Sequence, residues 1–172
     1  QSVYRDDVLF ELGNTYVADK KDELAITTYN QLITEFPEGT FTSKALLRQG
    51  LVHYNDDKDD LALTKFKKIA TDFPKTPEAL EAVASARLIY VDSGKVNEYA
   101  TWVRTLSFVS VTDVELDNDS YEAAEKQWQQ GNTKQAIAGL NAYVSSFPNG
   151  VHALKANYQL AQAYYDEGAA GK

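Results

Sequence analysis

Apolar residues recur along the chain with the spacing of an α-helix, in paired segments that short polar turns separate. Residues 4–18 and 22–35 form the first pair, and charged residues at 19–21 make the turn between them. Pro37 follows the second segment and disfavours a helical conformation at Phe36. The pattern therefore predicts two antiparallel helices of about 14 residues each, joined as a hairpin.

The same pattern predicts helices along the rest of the chain. Thr76 is expected to cap the helix that begins at Pro77, while Asp119 and Asn132 begin segments in capping-box spacing. Residues 107–116 are rich in Val, Ser and Thr; we interpret them as a long irregular loop, with a short strand as the alternative. The further predicted helices span residues 42–54, 59–72, 77–91 and 95–106, begin at 119 and 132, and end with 151–166.

The paired segments are copies of one another at a period of 37 residues. Each second helix carries an alanine, then an aromatic or large apolar residue four positions later, a further large apolar residue and a Phe-Pro pair. Three sets follow this order: Ala25, Tyr29, Leu32, Phe36 and Pro37; Ala62, Phe66, Ile69, Phe73 and Pro74; and Ala136, Leu140, Tyr143, Phe147 and Pro148. A fixed period of this length indicates a repeat protein.

Glycine recurs at one register of the first helices, at Gly13 and Gly50. A glycine in the middle of a helix costs about 1 kcal/mol relative to alanine, so its return predicts close helix packing. Arg87 occupies this register in the third unit, where the alanine and Phe-Pro positions are also lost. On the last helix we expect an inner face of Leu154, Tyr158, Leu160, Ala161 and Tyr164.

This order of residues resembles the tetratricopeptide repeat (TPR) family. In the first unit the match runs through Leu12, Gly13 and Tyr16, then Ala25, Tyr29, Leu32 and Pro37. The resemblance implies an all-α, right-handed α-α superhelix of about four and a half hairpins. We expect residues 1–172 to form a single array, with repeats at 4–37, 41–74, 77–111 and 117–148 and a half repeat at 150–168.

The Phe-Pro exits also resemble those of bacterial cell-envelope TPR proteins, such as the lipoprotein of the outer-membrane β-barrel assembly machine and the periplasmic Tol-Pal coordinator. The resemblance implies a periplasmic or outer-membrane-associated location; a cytoplasmic location is the alternative. The chain begins at Gln1 and contains no methionine, so we expect a piece of a larger protein. Either the last helix caps the array or the array continues beyond residue 172, and we favour continuation.

In the TPR family, the first helices of successive hairpins line a concave surface that binds a protein or peptide. By register, the resemblance places six rings there that could form an aromatic groove, although some could instead pack between repeats. The predicted partner-binding residues are Phe10, Asn14, Lys44, Leu47, Leu51, Tyr54, Leu88, Tyr121, Glu125, Trp128, Tyr158, Gln162 and Tyr165.

The composition of the chain argues against several classes of function. A net charge of −8 disfavours nucleic acid and anionic membrane surfaces as partners, and the absence of cysteine excludes thiolate chemistry. The two histidines, His53 and His152, lie far apart in sequence, and His53 occupies a core register. Two acidic clusters, at 56–60 and 113–119, lack the spacing of an EF-hand and are interpreted as solvated turns and helix starts. We therefore expect no metal, no cofactor and no enzyme activity.

The sequence thus predicts a non-catalytic scaffold that binds a protein or peptide, without membrane insertion of this segment. Two alternatives stay open. The chain could be a self-associating or structural segment of a longer solenoid, or the regulatory arm of an enzyme whose catalytic domain lies outside it.

Overall fold

The computed structural model describes residues 4–170, with side chains up to Asp166. Within this range the chain is all α-helical, as predicted, and the suggested strand at 107–116 is absent. The helices are α1 (Arg5–Ala18), α2 (Asp22–Glu35), α3 (Thr42–Asn55), α4 (Asp59–Asp72), α5 (Pro77–Asp92), α6 (Val96–Val103), α7 (Asp113–Gln129), α8 (Thr133–Ser146) and α9 (Ala153–Ala170).

The helices divide into two compact units, Gln1–Ala86 and Arg87–Lys172. In the first unit, α1 packs on α2, α2 on α3, and α3 on α4. In the second unit, α7 packs on α8, α8 on α9, and α6 makes a smaller contact with α7. The first and second predicted hairpins therefore lie in the first unit and the fourth lies in the second unit, while the boundary between the units falls within α5.

The turn inside each hairpin repeats the period of the sequence in its backbone. Lys20 and Asp57 both have φ of 57°, and Gly94 and Gly131 have φ of 72° and 78°. These four residues are spaced by 37. A residue in the left-handed region ends a helix by redirecting the chain, and glycine adopts it at the lowest cost.

The Phe-Pro pairs end the second helices as expected. Phe36, Phe73 and Phe147 have left the helical region, with φ between −127° and −133°. Each phenylalanine N–H still donates to the carbonyl four residues earlier. The helix therefore closes with a complete last turn before proline removes the next donor.

Glycine in the first helices makes room for a ring of the second helix. A Cβ on Gly13 would overlap the ring of Tyr29, and a Cβ on Gly50 would overlap the ring of Phe66. Both rings are fully buried. The predicted close packing is thus confirmed in both hairpins of the first unit.

The start of α7 corrects the sequence analysis. The helix begins at Asp113, six residues before the predicted start, and Asp119 lies inside it. Thr112 is the N-cap of a capping box: its hydroxyl accepts from the Glu115 N–H at 3.2 Å, and the Glu115 carboxylate accepts from the Thr112 N–H at 2.7 Å. The irregular segment is correspondingly shorter than the predicted loop.

Of the two other predicted caps, one is confirmed and one is wrong. Thr76 caps α5, because its hydroxyl accepts from the Ala79 N–H at 3.1 Å. The predicted capping box at Asn132 is wrong: its side chain makes no cap hydrogen bond and donates instead to Gln127 Oε1, 2.9 Å away.

Arg87, at the glycine register of the third hairpin, ties α5 to α7. Its guanidinium donates to both carboxylate oxygens of Asp119, with Nε 2.8 Å from Oδ2. The Asp119 side chain is fully buried. Val103 stands at the register held by Tyr29 and Phe66, so no second-helix ring requires a glycine at 87. This ion pair explains the arginine at the glycine register of the third unit.

The inner face of α9 is also corrected. Ala153, Ala156, Leu160 and Ala163 are buried, and of the five residues predicted to face inward only Leu160 does so. Leu154, Tyr158, Ala161 and Tyr164 are exposed. The α9 helix packs on α8 through small residues, so its large apolar side chains lie on the other faces.

Candidate functional site

The first-helix face is the set of thirteen predicted partner-binding residues, which lie on α1, α3, α5, α7 and α9. Each unit carries its own part of this face. The part in the first unit comprises residues 10, 14, 44, 47, 51 and 54, and the part in the second unit comprises residues 88, 121, 125, 128, 158, 162 and 165.

In the first unit, two of the predicted residues are core residues. Phe10 is buried against Tyr29 and Phe41, with ring centroids 6.1 Å and 5.2 Å away. Leu47 is buried as well. Neither side chain is accessible to a partner, because both are packed between neighbouring helices.

The four remaining residues of the first unit, Asn14, Lys44, Leu51 and Tyr54, are half-buried. The carboxamide oxygen of Asn14 accepts from the Tyr29 hydroxyl at 2.7 Å, and the ammonium of Lys44 lies 5.1 Å from the centroid of the Phe41 ring. Leu51 and Tyr54 are partly exposed one and two turns farther along this side of α3 than Leu47. This part of the face therefore offers fixed polar groups beside two partly exposed apolar side chains.

Tyr121, the central predicted ring of the second unit, is buried by a polar cluster. Its ring stacks on the His152 imidazole at a centroid distance of 4.4 Å, and its hydroxyl donates to Gln159 Oε1 at 2.9 Å. The ammonium of Lys155 lies 5.1 Å from the ring centroid and 3.0 Å from Glu125 Oε1. The candidate residue Glu125 is thus held in an ion pair beside a covered ring.

Asp117 on α7 holds the residues around Tyr143 and Val151 through two hydrogen bonds. Its carboxylate accepts from the Tyr143 hydroxyl at 2.5 Å and from the Val151 N–H at 2.8 Å. The Tyr143 hydroxyl in turn accepts from the His152 N–H at 3.0 Å. Burial, followed by the hydrogen bond to Asp117, raises the pKa of Tyr143 to about 12. The network fixes the α8–α9 connection and so orients α9.

The exposed rings of the face lie on α9. Tyr158 is 70% exposed and Tyr165 is 73% exposed, with Gln162 between them on the same side of the helix. Leu88 on α5 is 48% exposed, and Trp128 on α7 is half-buried against the core of the second unit. The aromatic surface is therefore smaller than predicted and is concentrated on α9.

The second acidic cluster contains both buried and exposed residues. Asp117 and Asp119, predicted to be solvated, are buried and paired, which corrects the interpretation of these two residues, whereas Asp113 and Glu115 are exposed as predicted. No group of acidic or histidine side chains in the described residues has the arrangement of a metal site. Burial lowers the pKa of the His53 imidazole, and the charge of Lys65 acts in the same direction.

Sequence reasoning missed the two buried acidic residues of α7, and a signal for them existed. Thr112 and Glu115 have capping-box spacing, which would have begun the helix early enough to place Asp117 and Asp119 inside it. Arg87 at a glycine register was a second signal, because an arginine directed toward a hairpin interior requires a carboxylate partner.

The architecture of repeated helical hairpins, with glycine against a ring and a Phe-Pro exit, defines the class of TPR-type helical repeats. The tetratricopeptide repeat family model matches residues 7–39 and 44–76, which are the first and second hairpins. A second family model, described as outer membrane lipoprotein (YfiO), matches residues 114–171. The predicted resemblance to TPR proteins, including those of the bacterial envelope, is confirmed by these two matches.

Solved structures similar to the chain include the nearly identical TPR-like repeats of a Podosopora anserina protein assigned as a kinesin light chain, and a form of the same repeats with a single substitution. Each shares 14% sequence identity with the chain, over 98% of this chain and 90% of the other. Their TM-scores are 0.47 and, for the substituted form, 0.48. No curated protein sequence matches the chain.

Among the described residues, none of the helices has the combination of length and apolar composition that crossing a bilayer requires.

Proposed function

We propose that the chain is a non-catalytic scaffold that binds a protein or peptide through the exposed part of the first-helix face. TPR repeats in general mediate protein–protein interaction, and the first two hairpins match that family. The observation that carries the proposal is the pair of exposed rings Tyr158 and Tyr165 on one side of α9. Tyrosine is a favoured interface anchor, since it offers a large apolar ring and a polar tip at a low entropy cost.

The polar residues of the first-helix face favour binding of a specific partner over nonspecific apolar contact. Asn14, Lys44 and Glu125 are already held by contacts within their own unit, so they present fixed donors and acceptors. Side chains that are ordered before binding lose less entropy on association. We infer that the partner combines apolar side chains with hydrogen-bonding groups.

We further propose that this binding occurs in the periplasm or at the outer membrane of a bacterium, with a cytoplasmic location as the alternative. The match of residues 114–171 to the outer membrane lipoprotein family supports the envelope. The acidic net charge of −8 is consistent with recruitment to a protein partner instead of to an anionic lipid surface.

A pull-down from a bacterial envelope extract tests the proposal. The immobilised chain is compared with a Tyr158→Ala/Tyr165→Ala variant and with a Leu24→Ala/Leu61→Ala control. The control removes two half-exposed leucines from the second helices α2 and α4. We expect one specific protein to be lost with the tyrosine variant and retained with the control. Equal capture by all three proteins, or capture of nothing, contradicts the proposal.

Self-association is a second candidate, because α9 exposes further apolar side chains. Leu154 is 86% exposed one turn before Tyr158, and Val151, which precedes the helix, is 71% exposed. Phe10 and Leu47, which hold the register of Tyr158 in the first and second hairpins, are buried by neighbouring helices. Analytical ultracentrifugation of the native chain and of the Leu154→Glu variant separates the two candidates. A native dimer that Leu154→Glu dissociates favours self-association. A native chain that is monomeric at all concentrations favours a different partner.

A further inference from the structure

The connection between α8 and α9 carries the only Asn-Gly pair of the sequence, Asn149-Gly150. This pair lies between the end of α8 at Ser146 and the start of α9 at Ala153. The Asn149 side chain is exposed to solvent. Asparagine is a thermolabile residue, and glycine leaves its own amide nitrogen unshielded because it has no Cβ. The amide nitrogen of Gly150 can therefore reach the side-chain carbonyl carbon of Asn149.

The other eight asparagines are protected by their surroundings. Asn132 precedes α8, and the β-branched Thr133 that follows it shields the next amide nitrogen. The remaining seven lie within helices, where the hydrogen-bonded backbone holds the following amide in place and keeps a five-membered ring from closing on it. These seven are Asn14, Asn30, Asn55, Asn97, Asn118, Asn141 and Asn157.

The fold itself requires the glycine at position 150. A Cβ on this residue would lie 2.5 Å from the Tyr143 hydroxyl oxygen and 2.7 Å from Asp117 Oδ2. These two groups are hydrogen-bonded to each other, and Asp117 Oδ2 also accepts from the Val151 N–H at 2.8 Å. The network that orients α9 thus admits only glycine after Asn149. The labile pair is a direct consequence of that packing.

The chemistry needs only water. The Gly150 amide nitrogen loses its proton to hydroxide and attacks Cγ of Asn149. A C–N bond forms, the side-chain nitrogen leaves as ammonia after taking a proton from water, and a five-membered succinimide ring remains. Water then adds to either ring carbonyl and opens the ring. One opening gives aspartate, and the other gives isoaspartate, in which the main chain runs through the side-chain carbonyl.

One hydrogen bond of the turn limits the rate. The Gly150 N–H donates to the Phe147 carbonyl at 3.0 Å, and this bond must open before the nitrogen can attack. Local opening costs almost no free energy in exposed turns but approaches the global stability in core helices. We therefore expect Asn149 to react more slowly than in a short peptide and faster than an asparagine inside a helix.

The isoaspartate product changes the backbone where α9 is held. It adds one carbon atom to the main chain directly before Gly150. The next two N–H groups are those of Val151 and His152, which donate to Asp117 Oδ2 at 2.8 Å and to the Tyr143 hydroxyl at 3.0 Å. A longer main chain displaces both N–H groups from these acceptors, so the attachment of α9 to the second unit weakens.

We propose that Asn149 is a site of spontaneous deamidation and that its isoaspartate product loosens α9. This site is separate from the partner-binding residues of the first-helix face.

The reaction is tested by storing the intact chain at pH 6 and at pH 9, followed by tryptic digestion and mass spectrometry. Cleavage after Lys134 and Lys155 releases one peptide that contains both Asn141 and Asn149, so Asn141 is an internal control. Electron-transfer fragmentation distinguishes isoaspartate from aspartate. We expect Asn149 to deamidate at least about tenfold faster than Asn141, and faster at pH 9 than at pH 6. Equal rates at the two asparagines, or an absence of isoaspartate at 149, would overturn the proposal.

The structural effect is tested by hydrogen–deuterium exchange of the isolated isoaspartate form. Two variants are the controls: Asn149→Gln, stored in the same way, would have to close a less favourable six-membered ring, and Asn149→Asp carries the charge without the added backbone carbon. We expect faster exchange in α9 of the isoaspartate form, while α2 of this form and α9 of both variants exchange as in the fresh native chain. Unchanged exchange in α9 of the isoaspartate form contradicts the loosening of α9. Equally fast exchange in Asn149→Asp also contradicts it, because the charge and not the longer backbone would then be the cause.

Discussion

Single glycines decide how closely the hairpin helices approach. Gly50 has no side chain, and an added Cβ would lie 2.8 Å from Cδ1 of the Phe66 ring. On propensity alone, a Gly50→Ala change would stabilise α3 by about 1 kcal/mol. Overpacking a core contact costs about 1–3 kcal/mol, and the Phe66 ring that the new methyl group would meet is fully buried. The packing term therefore outweighs the propensity term.

We predict that Gly50→Ala lowers the free energy of unfolding of the chain by up to about 2 kcal/mol, as measured by urea denaturation. The control is the same change combined with Phe66→Leu, which replaces the ring that the new methyl group meets. The loss in the double variant should be smaller than the sum of the two single losses. If Gly50→Ala stabilises the chain, the register glycine is not a packing residue.

At the scale of the element, the turns inside the hairpins share one backbone conformation but not one residue type. Lys20 and Asp57 adopt a positive φ that Gly94 and Gly131 adopt at the equivalent positions. For residues with a Cβ, the left-handed region costs about 1–2 kcal/mol. Nothing in the described contacts of the Lys20 and Asp57 backbones requires a side chain at these positions.

We predict that Lys20→Gly and Asp57→Gly each leave stability unchanged or raise the melting temperature slightly, since the lower strain offsets the greater chain entropy of glycine. Gly94→Ala and Gly131→Ala should each lower the melting temperature, because they introduce the strain. Differential scanning calorimetry of the four variants tests this. A lower melting temperature for all four would show that the turn conformation is not the controlling quantity.

The sequence predicted the helices well wherever the signals were local. The bounds of α2 and α4 agree with the prediction at both ends, because the turn residues and the Phe-Pro exits fix each end within a few residues. The start of α7 was predicted too late because capping-box spacing occurs both at Thr112 and at Asp119, and the prediction rests on the second. The pairing of Asp119 with Arg87, 32 residues away, would have placed Asp119 inside the helix, but local spacing does not reveal it.

The candidate site was predicted less well than the fold, because the exposure of a side chain also depends on residues that are distant in sequence. Register places Tyr121 on the first-helix face, but His152 and Lys155 from the next hairpin cover its ring. Tyr158, one period after Tyr121, and Tyr165, one period after Trp128, are exposed among the described residues. Exposure depends on neighbouring helices, whereas register depends only on the helix itself.

At the scale of the whole molecule, each unit contains a buried tyrosine whose pKa is raised to about 12. Burial raises the pKa of both Tyr29 and Tyr143 to about 12. In the unfolded chain tyrosine titrates near 10. Between about pH 10 and pH 12 the unfolded chain therefore releases protons that the folded chain retains, and the free energy of unfolding falls as pH rises. This contribution is fully present below pH 10.

We predict that urea denaturation at pH 9, 10 and 11 shows this fall above pH 10, and that Tyr29→Phe makes the fall shallower. The comparison between pH 7 and pH 9 is the internal control, since the native chain and Tyr29→Phe should have parallel stability there. A fall of equal slope in both proteins above pH 10 would assign the alkaline loss to groups other than Tyr29.

The most direct test of the account is hydrogen–deuterium exchange, read by mass spectrometry, on the chain with the protein captured from the envelope extract. If the chain is a scaffold whose first helices bind the partner, protection should appear in the peptides from α3 and α9. The peptides from α2 and α4 should exchange as in the free chain. Protection confined to the second helices, or exchange identical with and without the captured protein, would contradict the assignment of binding to the first-helix face.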